Sequence, residues 1–151
     1  MQDLRLVELT DKLRGAIAGR SGVALALLGG PGIGKSWLAT QALAQLACRS
    51  ASCSATWPLA QIVAALPASP KLASWAQGTL DAAADAQQVE TGALVAAVNA
   101  LLKQLAPFVL HLDDFQDAQP DVSSFAVQLA DGVKRLRGVV LVVGSRHEAP
   151  P

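Results

Sequence analysis

The sequence holds two cysteines, one methionine, three phenylalanines, three tryptophans and no tyrosine, and its charges cancel to a net of +0. Each shortage excludes something. Cys48 and Cys53 are too few for a disulfide framework in 151 residues, and they lack the paired CxxC spacing of a zinc site. They read as two reduced thiols of a cytosolic protein. With 12 Lys+Arg against 12 Asp+Glu there is no positive excess to hold nucleic acid. The one basic cluster, Lys134, Arg135 and Arg137, reads as the solvated side of a helix. The longest apolar stretches, Val23 to Leu28 and Val139 to Val143, are far too short to span a bilayer. Asp3, Arg5 and Glu8 interrupt any leader-like run at the start. The expectation is a soluble, cytoplasmic protein with no membrane partner. Trp37, Trp57 and Trp75 read as packing residues rather than as a base-stacking platform.

What is present is apolar and patterned. Hydrophobic residues make up 52% of the chain, enough to offset chain entropy with one hydrophobic core, and the length suits a single domain over residues 1–151. Three short, continuous apolar runs predict strands buried on both faces: Val23 to Leu28, Phe108 to Leu112, and Val139 to Val143. Between them lie helical patterns at Leu4 to Ala18, Ser36 to Ala47, and from Trp57-Pro58-Leu59 to Leu66. A further helix over Thr91 to Leu105 puts Leu94, Val95, Val98, Leu101, Leu102 and Leu105 on one stripe. Another, capped by Ser123 or Ser124, runs to about Leu136. A weak strand falls around Leu46 to Ser52, and Pro67 to Glu90 mixes loop with short helix. This alternation predicts an α/β three-layer sandwich (α/β/α) with a mostly parallel sheet. The last residues, Pro150-Pro151, follow directly on an apolar run, so the chain is expected to be the front part of a longer protein.

The chemistry is concentrated at the ends of those runs. Gly29-Gly30-Pro31-Gly32-Ile33-Gly34-Lys35-Ser36 fits G-x-x-x-x-G-K-[ST] in full, after an apolar run and before an amphipathic helix. Glycines free the backbone to turn several N–H groups around one phosphate, and the following helix adds its N-terminal dipole. Lys35 is placed to reach the β- and γ-phosphates, and the Ser36 hydroxyl to bind Mg²⁺. Trp37 adjoins the loop and is counted with it. Asp113 and Asp114 end the second apolar run. In a parallel sheet ligands bind beyond the carboxyl ends of strands, so Asp113 is expected to hold Mg²⁺ directly or through water. Asp114 is the group to orient or deprotonate the attacking water. Gly144-Ser145-Arg146 closes the third run and is expected at the same edge. Ser145 could bond the γ-phosphate or the water; Arg146 either neutralises developing charge or is an ordinary surface arginine. His111, inside a strand, reads as a satisfied core histidine rather than a catalytic one. No Asn-Lys-x-Asp guanine signature occurs, which leans toward ATP.

Taken in order, Arg5-x-x-Glu8-Leu9, GGPGIGKS with Trp37-Leu38, Thr56-Trp57-Pro58-Leu59, LHLDDFQDA with Pro120-Asp121, and LVVGSRHEAPP resemble a known family. It is the AAA-type ATPase module of signal-transduction (STAND) P-loop NTPases, as found in large LuxR-like bacterial transcriptional regulators. The resemblance implies Walker A residues at Lys35 and Ser36, a Walker B pair at Asp113 and Asp114, and a sensor at Arg146. It implies a five-stranded parallel sheet with the phosphate-loop strand near the middle. It implies a slowly hydrolysing Mg²⁺–ATP switch whose nucleotide state controls self-association, with DNA reached only through domains outside this chain. The sequence departs from the family at Gln116-Asp117, where relatives often carry His-Trp, and nothing in it matches the family's last strand, lid and winged helix. Two other readings stay open: a non-hydrolysing nucleotide-binding interaction module, and an AAA-type ATPase of DNA replication or repair.

Overall fold

Continuous apolar strands need helices on both sides, and the molecule supplies them. A computed structural model describes residues 4–19, 22–29, 41–42, 44–45 and 49–146. The elements in chain order are α1 (Leu4–Ala18), β1 (Val23–Gly29), β2 (Arg49–Ser54), α2 (Leu59–Ala64), α3 (Ser74–Ala84), α4 (Thr91–Leu105), β3 (Phe108–Asp113), a 3₁₀ turn (Phe115–Asp117), α5 (Pro120–Val133) and β4 (Val139–Arg146). Between β1 and β2, Gln41, Ala42, Ala44 and Gln45 are helical, within the helix expected over 36–47.

The four strands form one sheet in the order β1-β4-β3-β2, every pair parallel. That order explains the three layers. From β1 the chain crosses to the far edge at β2, then steps back through β3 to β4. Right-handed crossovers that travel in opposite directions must lie on opposite faces. The helical residues between β1 and β2 accordingly share one face with α1: Leu13 and Ala42 pack with Val109, Val140 and Val142. The larger core on the other face joins α2, α3, α4 and α5 to Phe108, Leu110 and Leu112 of β3 and to Val139 and Leu141 of β4. The side-chain period of two separates these sets. Among the described residues β1 stands at one end of the order, and the fifth strand that the resemblance implies has no counterpart there.

Most predicted elements stand where the pattern put them, and the exceptions have causes. All six residues of the α4 stripe are buried. The weak strand is displaced to Arg49–Ser54; as an edge strand it is polar, which discourages pairing with other chains. Within 67–90 there is an 11-residue helix, α3, whose buried face is Ala76, Leu80 and Ala83, too small and alanine-rich to give a strong periodic signal. Neither Ser123 nor Ser124 caps α5. The helix starts earlier, with Pro120 at its first position, where the missing N–H and fixed φ suit a first turn. Ser123 is already inside it, its N–H donating to the Gln119 carbonyl at 2.9 Å. Trp57 packs against the main core as expected, but Trp75 is 57% exposed and is not a packing residue. Trp37 lies outside the described residues. Cys53 is buried in the core, and burial pushes its thiol above the usual range, so it is not a reactive group. No helix among the described residues is long and apolar enough to cross a membrane.

Candidate functional site

The register brings the expected site residues to one edge. Leu28 pairs with Ser145 and Gly29 with Arg146, so the strand that runs into the phosphate-loop sequence ends beside the end of β4. On the other side of β4, Leu112 pairs with Val143, which puts Asp113 level with Gly144. Beyond β3, Ser54 pairs with Asp113. Gly29, Ser145, Arg146, Asp113 and Asp114 therefore share the carboxyl edge of a parallel sheet, the edge where such sheets bind ligands. Gly30, Pro31, Gly32, Ile33, Gly34, Lys35 and Ser36 lie outside the described residues, as does Trp37.

Because β4 is interposed, Asp113 is not next to β1. Its carboxylate leans across β4 instead. A Cβ built on Gly144 would come 2.7 Å from Asp113 Oδ1 and 3.6 Å from its Cγ. Only a glycine at 144 leaves that space, so the carboxylate lies over the strand that separates it from β1. Its backbone is also tied: the Asp113 carbonyl accepts from the Ala55 N–H at 2.7 Å, and Oδ1 accepts from the Asp114 N–H at 2.9 Å. Asp114 takes the left-handed conformation, φ 56° and ψ 38°, and begins the 3₁₀ turn, its carbonyl accepting from Asp117 N–H at 3.0 Å. Aspartate tolerates this conformation better than most residues. The sharp turn separates two adjacent carboxylates, one fixed along the strand and one carried by the turn.

Around them the edge is polar. Ser54 Oγ and Thr56 Oγ1 are 2.6 Å apart. His111, two residues before Asp113 on the same face, is 3% exposed, and its Nδ1 lies 3.3 Å from Ser52 Oγ. The buried, bonded histidine expected from the sequence is what stands there.

The donor set suits magnesium associated with phosphate. Among the described residues no group of three or more His, Cys, Asp or Glu side chains could hold a metal ion alone. Mg²⁺ is ordinarily held by one or two carboxylates with water and substrate phosphates, and a single placed aspartate meets that requirement. Sequence reasoning missed the part played by Gly144, which it read only as a strand end. A glycine closing a valine-rich run was the only hint in the sequence; that it stands level with Asp113 follows from the register alone.

The model of the AAA ATPase domain matches residues 2–143. The chain belongs to the AAA ATPase domain family. Family and fold support a nucleotide-binding ATPase module and the use of a nucleotide, usually with Mg²⁺. The "Structure of Drosophila ORC bound to DNA" is similar in fold, with a TM-score of 0.60 at 13% sequence identity. The match covers 95% of this chain and 38% of that one, so this chain spans well under half of that one's length. No curated protein matches the chain in sequence.

Proposed function

We propose that this AAA ATPase domain is a Mg²⁺–ATP-binding, slowly hydrolysing switch module of the STAND type, serving a larger signal-transduction ATPase or transcriptional regulator in the cytoplasm. The observation that carries the reading is the Asp113 carboxylate, laid over Gly144 at the same sheet edge at which β1 runs into the Gly30–Ser36 sequence. In this reading the loop amides with Lys35 hold the phosphates, and Ser36 and Asp113 hold the metal. When bound, Mg²⁺ neutralises phosphate charge and fixes the geometry of the terminal phosphate. Asp114, on its turn, orients or deprotonates the attacking water, and Ser145 and Arg146, at the end of β4, are the residues to supply a hydrogen bond and a positive charge for the terminal phosphate. The DDFQDAQPD and GSR stretches favour the STAND group within the family.

In this reading DNA is reached only through domains outside this chain. Net charge is +0, and phosphate-backbone binding requires a concentrated positive face. The switch claim is tested by the mass of the protein in solution. Sedimentation in Mg²⁺–ATP, Mg²⁺–ADP and no nucleotide should give a larger species in one nucleotide state. A shift from 1:99 to 99:1 between states would require about 10⁴-fold tighter binding to one of them. The same mass in all three conditions, from protein that binds nucleotide, would leave a binding module and remove the switch.

A further inference from the structure

β3 carries one polar residue inside its buried run. Phe108, Val109, Leu110 and Leu112 are buried and apolar, as a central strand between two helical layers requires, yet His111 among them is only 3% exposed. An aliphatic side chain would fill the position without desolvating an imidazole. The ring is held from one side: Ser52 and His111 are register partners on β2 and β3, and Ser52 Oγ lies 3.3 Å from Nδ1. Its other nitrogen reaches β4, since Nε2 lies 3.6 Å from the point a Cβ would occupy on Gly144. That same point is 2.7 Å from Asp113 Oδ1. Imidazole and carboxylate thus converge over the one residue of β4 that has no side chain.

We propose that His111, set by Ser52, is a positioning residue for the Asp113 carboxylate. The inference rests on the reading of Asp113 as the magnesium carboxylate. In this arrangement the Ser52 hydroxyl donates to Nδ1 and the neutral ring carries its proton on Nε2, the nitrogen that shares the space over Gly144 with the carboxylate. Residues that orient a metal ligand from behind in this way change metal affinity when replaced, typically by 10- to 100-fold, without touching the metal. Gly144 is the third member of the arrangement, because any Cβ there would occupy the meeting point.

The experiment titrates ATP into the protein with and without Mg²⁺, for wild type, His111→Leu, His111→Gln and Ser52→Ala, with thermal melting of each free protein. Wild type should gain affinity from Mg²⁺. In His111→Leu that gain should fall about tenfold, with metal-free affinity and melting little changed. His111→Gln, which keeps an N–H at about the reach of Nε2, should recover most of the gain. Ser52→Ala should lose about threefold of it. A merely structural histidine would instead lower both affinities together, or neither. An unchanged magnesium gain in His111→Leu overturns the proposal. If that variant does not fold, an unchanged gain in Ser52→Ala overturns it instead. A wild type that binds ATP with no gain from Mg²⁺ overturns the reading of Asp113 itself, and this proposal with it.

Discussion

At the scale of single residues, the account depends on a carboxylate that has room to lie across a neighbouring strand. Gly144→Ala places a methyl where only 2.7 Å separates it from Asp113 Oδ1, so the carboxylate must turn away. Because the atom displaced is the end of a side chain, the cost falls on the position of the carboxylate rather than on the fold. We expect the cost to appear as weaker magnesium-dependent nucleotide binding, measured calorimetrically, with metal-free binding retained; unchanged binding in Mg²⁺ would show that the carboxylate's place over Gly144 is incidental. Asp114 calls for a different substitution. Asparagine tolerates the left-handed conformation that Asp114 occupies at φ 56°, so Asp114→Asn removes the carboxylate while keeping the turn. The expected result is retained Mg²⁺–ATP binding with phosphate release lowered by about 10²-fold or more, the usual worth of a general base. Full turnover in that variant would take Asp114 out of the chemistry. The place of Asp113 and Asp114 at a strand end was legible in the sequence, because an apolar run that closes in two carboxylates marks where the strand stops. Gly144 and the Ser52–His111 pair were not, because they are close approaches between strands far apart in sequence.

At the scale of elements, strands and helices with large aliphatic stripes could be read directly. β1, β3, β4 and α4 follow from runs rich in Val and Leu whose length and period leave one solution. α3 could not, since a buried face of Ala76, Leu80 and Ala83 barely differs from its exposed one. β2, with the sequence RSASCS, has almost no strand propensity and is held by pairing with β3 over six register positions. The start of α5 was misread because two serines resembled a cap, whereas Pro120 at the first position sets the boundary. The fit between elements is close where β1 begins. A Cβ on Gly22 would collide with the carbonyls of Val133, at the end of α5, and of Leu136, just beyond it, and backbone cannot swing aside as a side chain can. Gly22→Ala should therefore destabilise the fold by about 3 kcal/mol or more, seen as a lower midpoint in urea. A midpoint within error of wild type would mean that α5 and β1 are not locked at this contact.

At the scale of the whole molecule, the strand order makes the site. Crossing from β1 to the far edge and stepping back places β4 between the strand that runs into the Gly30–Ser36 sequence and the strand that ends in Asp113. Three strand ends then meet at one edge, with helices on both faces holding them in register. The sequence showed that strands and helices alternate; it did not show which strand is inserted, because order is a property of crossovers rather than of any one segment. A site assembled from separate strands should be stabilised as a unit by its ligand. At 100 times Kd, Mg²⁺–ATP should add about 2.7 kcal/mol to stability, raising Tm by several degrees. The central claim is tested most directly by calorimetric titration of ATP with and without Mg²⁺, for the wild-type chain, Lys35→Ala and Asp113→Ala. The account predicts magnesium-strengthened binding in wild type, no measurable binding for Lys35→Ala, and for Asp113→Ala a loss confined to the magnesium titration. Micromolar binding by Lys35→Ala, or an equal loss with and without metal for Asp113→Ala, would contradict it.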